Sequence, residues 1–209
     1  METMTGSGSG RPMHSATTST PINSAVGPGF RYNQEMPPVF LVGFMGCGKT
    51  SVAGALADRM AWPSIDLDHE IERRNGRRIA EIFAESGEAA FRQLEAECLT
   101  RWLKADRAVV ATGGGLFAVA SNRRRIRESG GFSIFLDVPW PVLRQRIEAG
   151  GVHHRPMYTG AEESRMLFEA RLPSYREADV ILGLSGQEAP AEVADLICRE
   201  MMAGVRCAT

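Results

Sequence analysis

The sequence predicts an α/β domain: a five-stranded parallel sheet flanked by helices, with a helical subdomain and a lid attached. Three observations carry that prediction. From Pro37 onward, short apolar runs alternate with helix-period patterns, the mark of repeated βαβ units. A glycine-rich turn fitting GxxxxGK[ST] stands between the first apolar run and the first helical pattern. About 40 residues between the second and third runs are helical in pattern almost throughout, more than a simple crossover needs.

Taken in order, "VFLVG" (39–43) reads as the first strand. "TSVAGALADRM" (50–60) reads as a helix with Val52, Leu56 and Met60 on one face. "SIDLD" (64–68) reads as a second short strand ending in acids. The helical stretch "HEIERRNGRRIAEIFAESGEAAFRQLEAECLTRWLKA" follows it. "AVVATGGG" (108–115) is a third strand running into glycines, and "FSIFLDV" a fourth. "PWPVLRQRIEAGG" is a helix with Pro at its start and Gly at its end. "ADVIL" (178–182) is the fifth strand, and "APAEVADLICREMM" the last helix. The chain shows no internal repeat.

Composition narrows the function classes. The 209 residues suffice for one domain plus a tail, and 44% hydrophobic content supports a core. A net charge of −1 gives no global field for nucleic acid or anionic membranes. The "RRRIR" run (123–127) reads as a solvated helix face. Cys47, Cys98, Cys198 and Cys207 form no CxxC pair, so neither a zinc site nor a disulfide framework is expected, and a reducing cytoplasm fits best. No apolar run approaches the roughly 20 residues of a membrane span. Residues 1–36 hold ten Ser/Thr and five Gly, with Arg11, His14 and Arg31 as their basic residues. That composition predicts a disordered tail more than a transit peptide, and Met36 is a candidate alternative start.

Gly43, Gly48, Lys49 and Thr50 supply the motif. Glycines let the backbone turn tightly and approach a phosphate, so that successive N–H groups form an anion nest at a helix N-terminus. Lys49 adds a mobile cation for the β and γ oxygens, and the Thr50 hydroxyl can ligate Mg²⁺. Cys47 is either a tolerated small residue or a thiol activated at a helix N-terminus. A guanine-reading NKxD is absent, and the chain is short for a motor ATPase, so a small kinase fits the length.

The acceptor side offers several candidates. Asp66 and Asp68 alternate on the second strand and can point together toward the phosphate loop, or Asp68 can merely cap the next helix. Arg92 and Glu95, three apart on a helix, can form a surface pair or an oriented clamp for a carboxylate. Thr112–Gly115 is an ordinary flexible turn or a bare backbone for a small ligand. "GGVHHRPMY" (150–158) suits a lid carrying Arg155, with His153 and His154 on its surface. Arg171 is a second anion clamp.

Together, "GFMGCGKT", "DLD", "GEAAFRQLE", "TGGG", "RPMY" and "RLPSYREAD" closely resemble the shikimate kinase family, in that order and spacing, over about Pro37 to Met202. The resemblance implies a kinase-like domain over 37–205, with substrate-binding helices at about 67–105 and a lid at about 150–162. It implies that Gly43, Met45, Gly46, Cys47, Gly48, Lys49, Thr50, Ser51 and Arg155 hold ATP, and that Thr50 ligates Mg²⁺ with Asp66 supporting through water. Asp68 would orient the 3-hydroxyl of shikimate and take its proton. Arg92 and Arg171 would hold the carboxylate, with Glu95 steadying them. Gly113, Gly114 and Gly115 would line the substrate, with Phe83 and Phe91 as apolar walls. Lys49 and Arg155 would stabilise the transferring phosphoryl group. The adenine-contacting arginine of the family has no clean match, because Glu148 falls near its place, and Arg144 or Arg146 can substitute. A cytoplasmic monomer is expected. Two rivals remain: a kinase for another hydroxy acid such as gluconate, and a non-catalytic relative. The second would have lost reactive groups, whereas Lys49, Asp68, Arg92 and Arg155 all remain.

Overall fold

The computed structural model describes residues 36–149 and 160–207. The expected tail other than Met36, and positions 150–159 of the expected lid, Arg155 included, lie outside the described residues. Five strands form one parallel sheet: β1 (Val39–Val42), β2 (Ser64–Asp66), β3 (Val109–Ala111), β4 (Phe132–Asp137) and β5 (Val180–Gly183), in the order β2-β3-β1-β4-β5. Central β1 is apolar at every position because it is buried completely. Burying each of its larger side chains contributes about 1.5–3 kcal/mol.

The strand order reverses direction at β1, which has β3 on one side and β4 on the other. Ligands of open parallel sheets gather in the crevice beyond the strand ends at such a point. The phosphate loop leaves β1 there, the Thr112–Gly115 turn leaves β3, and Asp66 ends β2. Thr112 ties its turn to β1, since both its N–H and its hydroxyl donate to the Leu41 carbonyl.

Helices α1 (Lys49–Met60), α2 (Leu67–Asn75), α3 (Ile79–Trp102), α4 (Ala120–Glu128), α5 (Trp140–Ala149), α6 (Ala161–Tyr175) and α7 (Pro190–Cys207) surround the sheet. Val52 and Leu56 of α1 are buried as the periodicity predicts. The helical stretch after β2 resolves into α2 and α3. Gly87, at φ 76° and ψ 175°, breaks α3 into two segments. The glycine tolerates that backbone where another residue would be strained.

Two sequence expectations change. Asp68 does not alternate with Asp66 on a strand, because β2 stops at Asp66 and Asp68 sits in the first turn of α2. The cause is local: Asp66 Oδ1 accepts from the N–H groups of Asp68 and His69 at 3.0 and 3.2 Å, which caps the helix immediately. The "RRRIR" run is not wholly a solvated face. Arg123 donates to the Phe117 and Ala118 carbonyls and pairs with Glu177, while Arg125 donates to the Ala96 carbonyl and the Thr100 hydroxyl.

Cys47, Cys98 and Cys198 are free. Cys98 is 2% exposed, and burial pushes its thiol up to about 11. At pH 8 only about one molecule in a thousand then carries the reactive thiolate. Maleimide labelling of the folded protein, read by peptide mass spectrometry, should miss Cys98 and reach it after unfolding. Rapid native labelling would contradict the packing around it.

Candidate active site

The phosphate loop is held from below by packing. Gly46, at φ 83°, faces α5 so closely that a Cβ would lie 3.2 Å from Ile147 Cγ1 and 3.4 Å from the Leu143 carbonyl oxygen. Phe44 is buried and packs edge-on against both Trp140 and Phe168, with ring centroids 6.2 and 5.4 Å away. The loop is thus fixed by the helices on both sides of segment 150–159. Gly48, at φ 97°, begins α1 with no side chain capping it, so the helix end faces the cavity as bare backbone. Lys49 is 9% exposed, and its Nζ donates to the carbonyls of Gly43 and Phe44, each at 2.9 Å.

One cavity of about 780 Å³ unites most of the residues singled out in the sequence. Met45, Gly46, Gly48, Lys49, Thr50 and Ser51 form its phosphate side. Asp66, Asp68, Phe83, Phe91, Arg92 and Glu95 come from β2, α2 and α3. Gly113, Gly114, Gly115 and Arg171 complete the opposite wall. Two loop residues lie elsewhere. Gly43 does not line this cavity: its carbonyl receives Lys49, and a Cβ there would lie 3.0 Å from Cys47 Sγ. Cys47 is buried and lines an adjoining cavity of about 260 Å³ instead. Of its two sequence readings, the small packed residue matches that burial.

Arg92 spends much of its fork on two carboxylates. Nη1 donates to Glu95 at 2.8 Å, while Nε and Nη2 both donate to Glu88 at 3.2 and 3.0 Å. Burial pulls the guanidinium down, but Glu95 and Glu88 together hold it above its ordinary value. Glu88 was not singled out in the sequence, although its position four residues before Arg92 was the available signal. Glu95 is 1% exposed, and its second oxygen has no hydrogen-bond partner among the described residues. Burial pushes its carboxyl up, against the pull of Arg92 and Arg171. Arg171, one turn before the end of α6, donates to the Gly114 carbonyl at 3.3 Å. Phe83 and Phe91 pack with centroids 4.7 Å apart and planes tilted by 37°, and form one wall.

Asp68 lies close to this group. A Cβ on Gly113 would come within 2.7 Å of Asp68 Oδ1 and 2.8 Å of Glu95 Oε1, so both carboxylates crowd the glycine face. Burial, then the negative Asp66 and Glu95, push the Asp68 carboxyl up to about 6, with Lys49 pulling the other way. A carboxylate so placed is readily protonated and can exchange a proton near neutral pH.

Thr50 Oγ1 donates to Asp66 Oδ2 at 2.6 Å, which leaves the hydroxyl lone pairs free. A hydroxyl oxygen beside a carboxylate, at the mouth of a phosphate nest, matches the hard oxygen donors Mg²⁺ prefers. On the nucleotide side, Arg144 pairs with Glu148 at 2.8 Å, with both side chains about half exposed. Arg146 lines both cavities and donates to the carbonyls of Gly46 and Gly186. Of the two arginines, Arg146 is the one that lines these cavities.

A family model described as Shikimate kinase matches residues 45–202. The shikimate kinase of Persephonella marina is 39% identical over 153 residues, covering 73% of this chain and 92% of that one. The shikimate kinase of Cereibacter sphaeroides is 42% identical over 168 residues, covering 79% and 82%. Among solved structures, shikimate kinase from Acinetobacter baumannii in complex with shikimate superposes with a TM-score of 0.76 at 33% identity, over 81% of this chain and 94% of that one.

Proposed function

The chain belongs to the shikimate kinase family and phosphorylates the 3-hydroxyl of shikimate with ATP, a step of aromatic amino-acid biosynthesis, and from that premise we propose which of its residues do the work. One observation carries the assignment: Arg92, Arg171 and Asp68 line the same cavity as Lys49. A molecule with a carboxylate at one end and a hydroxyl at the other can span that cavity. Its acid lies between two guanidinium groups and its alcohol faces Asp68. The shikimate bound to the Acinetobacter baumannii relative supports that occupant.

The γ-phosphate sits in the nest of Gly46, Gly48 and the first turn of α1. Lys49 swings from the Gly43 and Phe44 carbonyls onto the phosphate oxygens, exchanging two neutral acceptors for charged ones. Thr50, with Asp66 acting through water, would hold Mg²⁺, which would supply charge neutralisation on the nucleotide phosphates. Asp68 orients the hydroxyl and accepts its proton as the new O–P bond forms and the bond from the γ-phosphorus to the β–γ bridging oxygen breaks, with ADP leaving. Arg155, which lies outside the described residues, keeps the role the family resemblance implies, stabilising the transferring phosphoryl group. Catalysis is then chiefly positioning plus electrostatics. No helix among the described residues is long and apolar enough to cross a membrane, which fits a cytoplasmic site of action.

Steady-state assays of ADP release test the acceptor. Shikimate methyl ester, lacking the charge for the arginine clamp, should raise KM on the order of tenfold. Turnover on gluconate exceeding that on shikimate would defeat the assignment.

For the base, the smaller cavity beside Ser51 and Cys47 is the site, walled by Arg146 and Pro190. Arg146→Ala should raise the KM for MgATP about tenfold, through loss of two carbonyl contacts and the guanidinium face. It should leave the KM for shikimate within about twofold. An unchanged nucleotide KM would remove Arg146 from the base site.

A further inference from the structure

Tyr175 lies outside the cavity, yet it meets the cavity wall from behind. It is fully buried at the end of α6, four residues after Arg171. Its ring stacks on Phe135 of β4, with centroids 5.2 Å apart and planes at 29°. Its hydroxyl donates to the Gly114 carbonyl. Arg171 Nη1 donates to that same carbonyl at 3.3 Å. One backbone oxygen therefore gathers a neutral donor rooted in the sheet and a charged donor facing the substrate cavity.

We infer that Tyr175 is a positioning residue for the acceptor, acting through Gly114 and Arg171. This rests on the reading of Arg171 as a carboxylate clamp. Residues four apart on a helix share a face, so Tyr175 and Arg171 reach the glycine turn side by side. The Phe135 stack fixes the ring, and the ring fixes the hydroxyl. That bond holds the Gly114 carbonyl at a set place behind the cavity wall. Arg171, whose remaining N–H groups are the ones offered to a carboxylate, is oriented by the same oxygen. Burial pushes the phenol well above its ordinary value, so it stays an O–H donor throughout the working pH range. Gly114 also backs onto the phosphate loop, where a Cβ would lie 3.4 Å from the Met45 nitrogen. The phosphate loop is held separately by Phe44 and by α5 under Gly46, so losing the Tyr175 bond falls mainly on the acceptor side.

Tyr175→Phe keeps the ring and its stack and deletes only the donor. The KM for shikimate should rise about tenfold, while the KM for MgATP and kcat stay within about twofold and the melting temperature moves by only a few degrees. Arg171→Lys measured in parallel tests the clamp itself, and the double variant should raise KM by less than the product of the two single effects. If Arg171→Lys raises the KM for shikimate and Tyr175→Phe does not, the inference fails and the clamp stands. If neither raises it, the clamp fails and the inference with it. If Tyr175→Phe raises both KM values equally and lowers the melting temperature sharply, Tyr175 is only a packing residue and the inference is overturned.

Discussion

Asp68→Asn should lower kcat about a thousandfold, while the affinity for shikimate stays within about threefold of the unmodified enzyme. The substitution is nearly isosteric and keeps a polar group toward the hydroxyl. What it removes is the acceptor for the proton and the negative charge that steers the oxygen toward phosphorus. Arg92 keeps its own bond to Glu95 at 2.8 Å. Binding and turnover should therefore part company, which titration calorimetry and an ADP-release assay read independently. A kcat within tenfold of the unmodified enzyme would end the assignment of Asp68 as the proton acceptor.

Stability provides the control. The Asp68 carboxyl is pushed up to about 6, from 3.8, by burial and by Asp66 and Glu95. A carboxyl raised on folding favours the folded state most below pH 3.8, and that contribution is lost as pH rises through about 6. At pH 8 the ionised group is thus a net burden, and the amide relieves it. The melting temperature of Asp68→Asn should hold or rise at pH 8. A marked fall would mean that lost activity reflects lost structure.

The sequence exposed what is determined locally and hid what is determined across the fold. The phosphate loop was legible because its glycines, lysine and threonine act within one turn between a strand and a helix. Arg92 and Glu95 were legible as a pair because helical spacing alone brings them together. The alternating runs defined five strands, since a fully buried β1 must be apolar at every position. "DLD" misled by one turn: a period of two places both acids on a strand, but Asp66 starts a helix by capping it. Tyr175 left no local trace, because its bond crosses 61 residues to Gly114. Arg146 reaches 100 residues back to Gly46, which spacing rules cannot see. Phe44 falls at an unconstrained position of the loop motif. Its edge-on contacts with Trp140 and Phe168 exist only once α5 and α6 pack on the loop.

Gly113→Ala should lower kcat/KM about a hundredfold in a protein that still folds. The added Cβ would sit 2.7 Å from Asp68 Oδ1 and 2.8 Å from Glu95 Oε1, inside contact distance of both. Side-chain ends can often swing aside, but these two have little freedom. Glu95 is 1% exposed and bonded to Arg92, so pushing it displaces the clamp. Asp68 lines the same cavity and is the proposed proton acceptor, so pushing it would shift that group, and a misplacement of about 1 Å costs on that scale. Gly113 does not have the left-handed backbone that would strain an alanine, so the damage arises in the site and not in the turn. Gly54→Ala is the matched control. Gly54 lies inside α1 with no atom within 4 Å of its would-be Cβ. That change should leave turnover intact and stabilise the helix by up to about 1 kcal/mol. A methyl group that harms catalysis at Gly113 but not at Gly54 would tie the glycine face to the reacting hydroxyl. A Gly113→Ala enzyme within twofold of the unmodified rate would show that Asp68 and Glu95 do not crowd that face when substrate is bound.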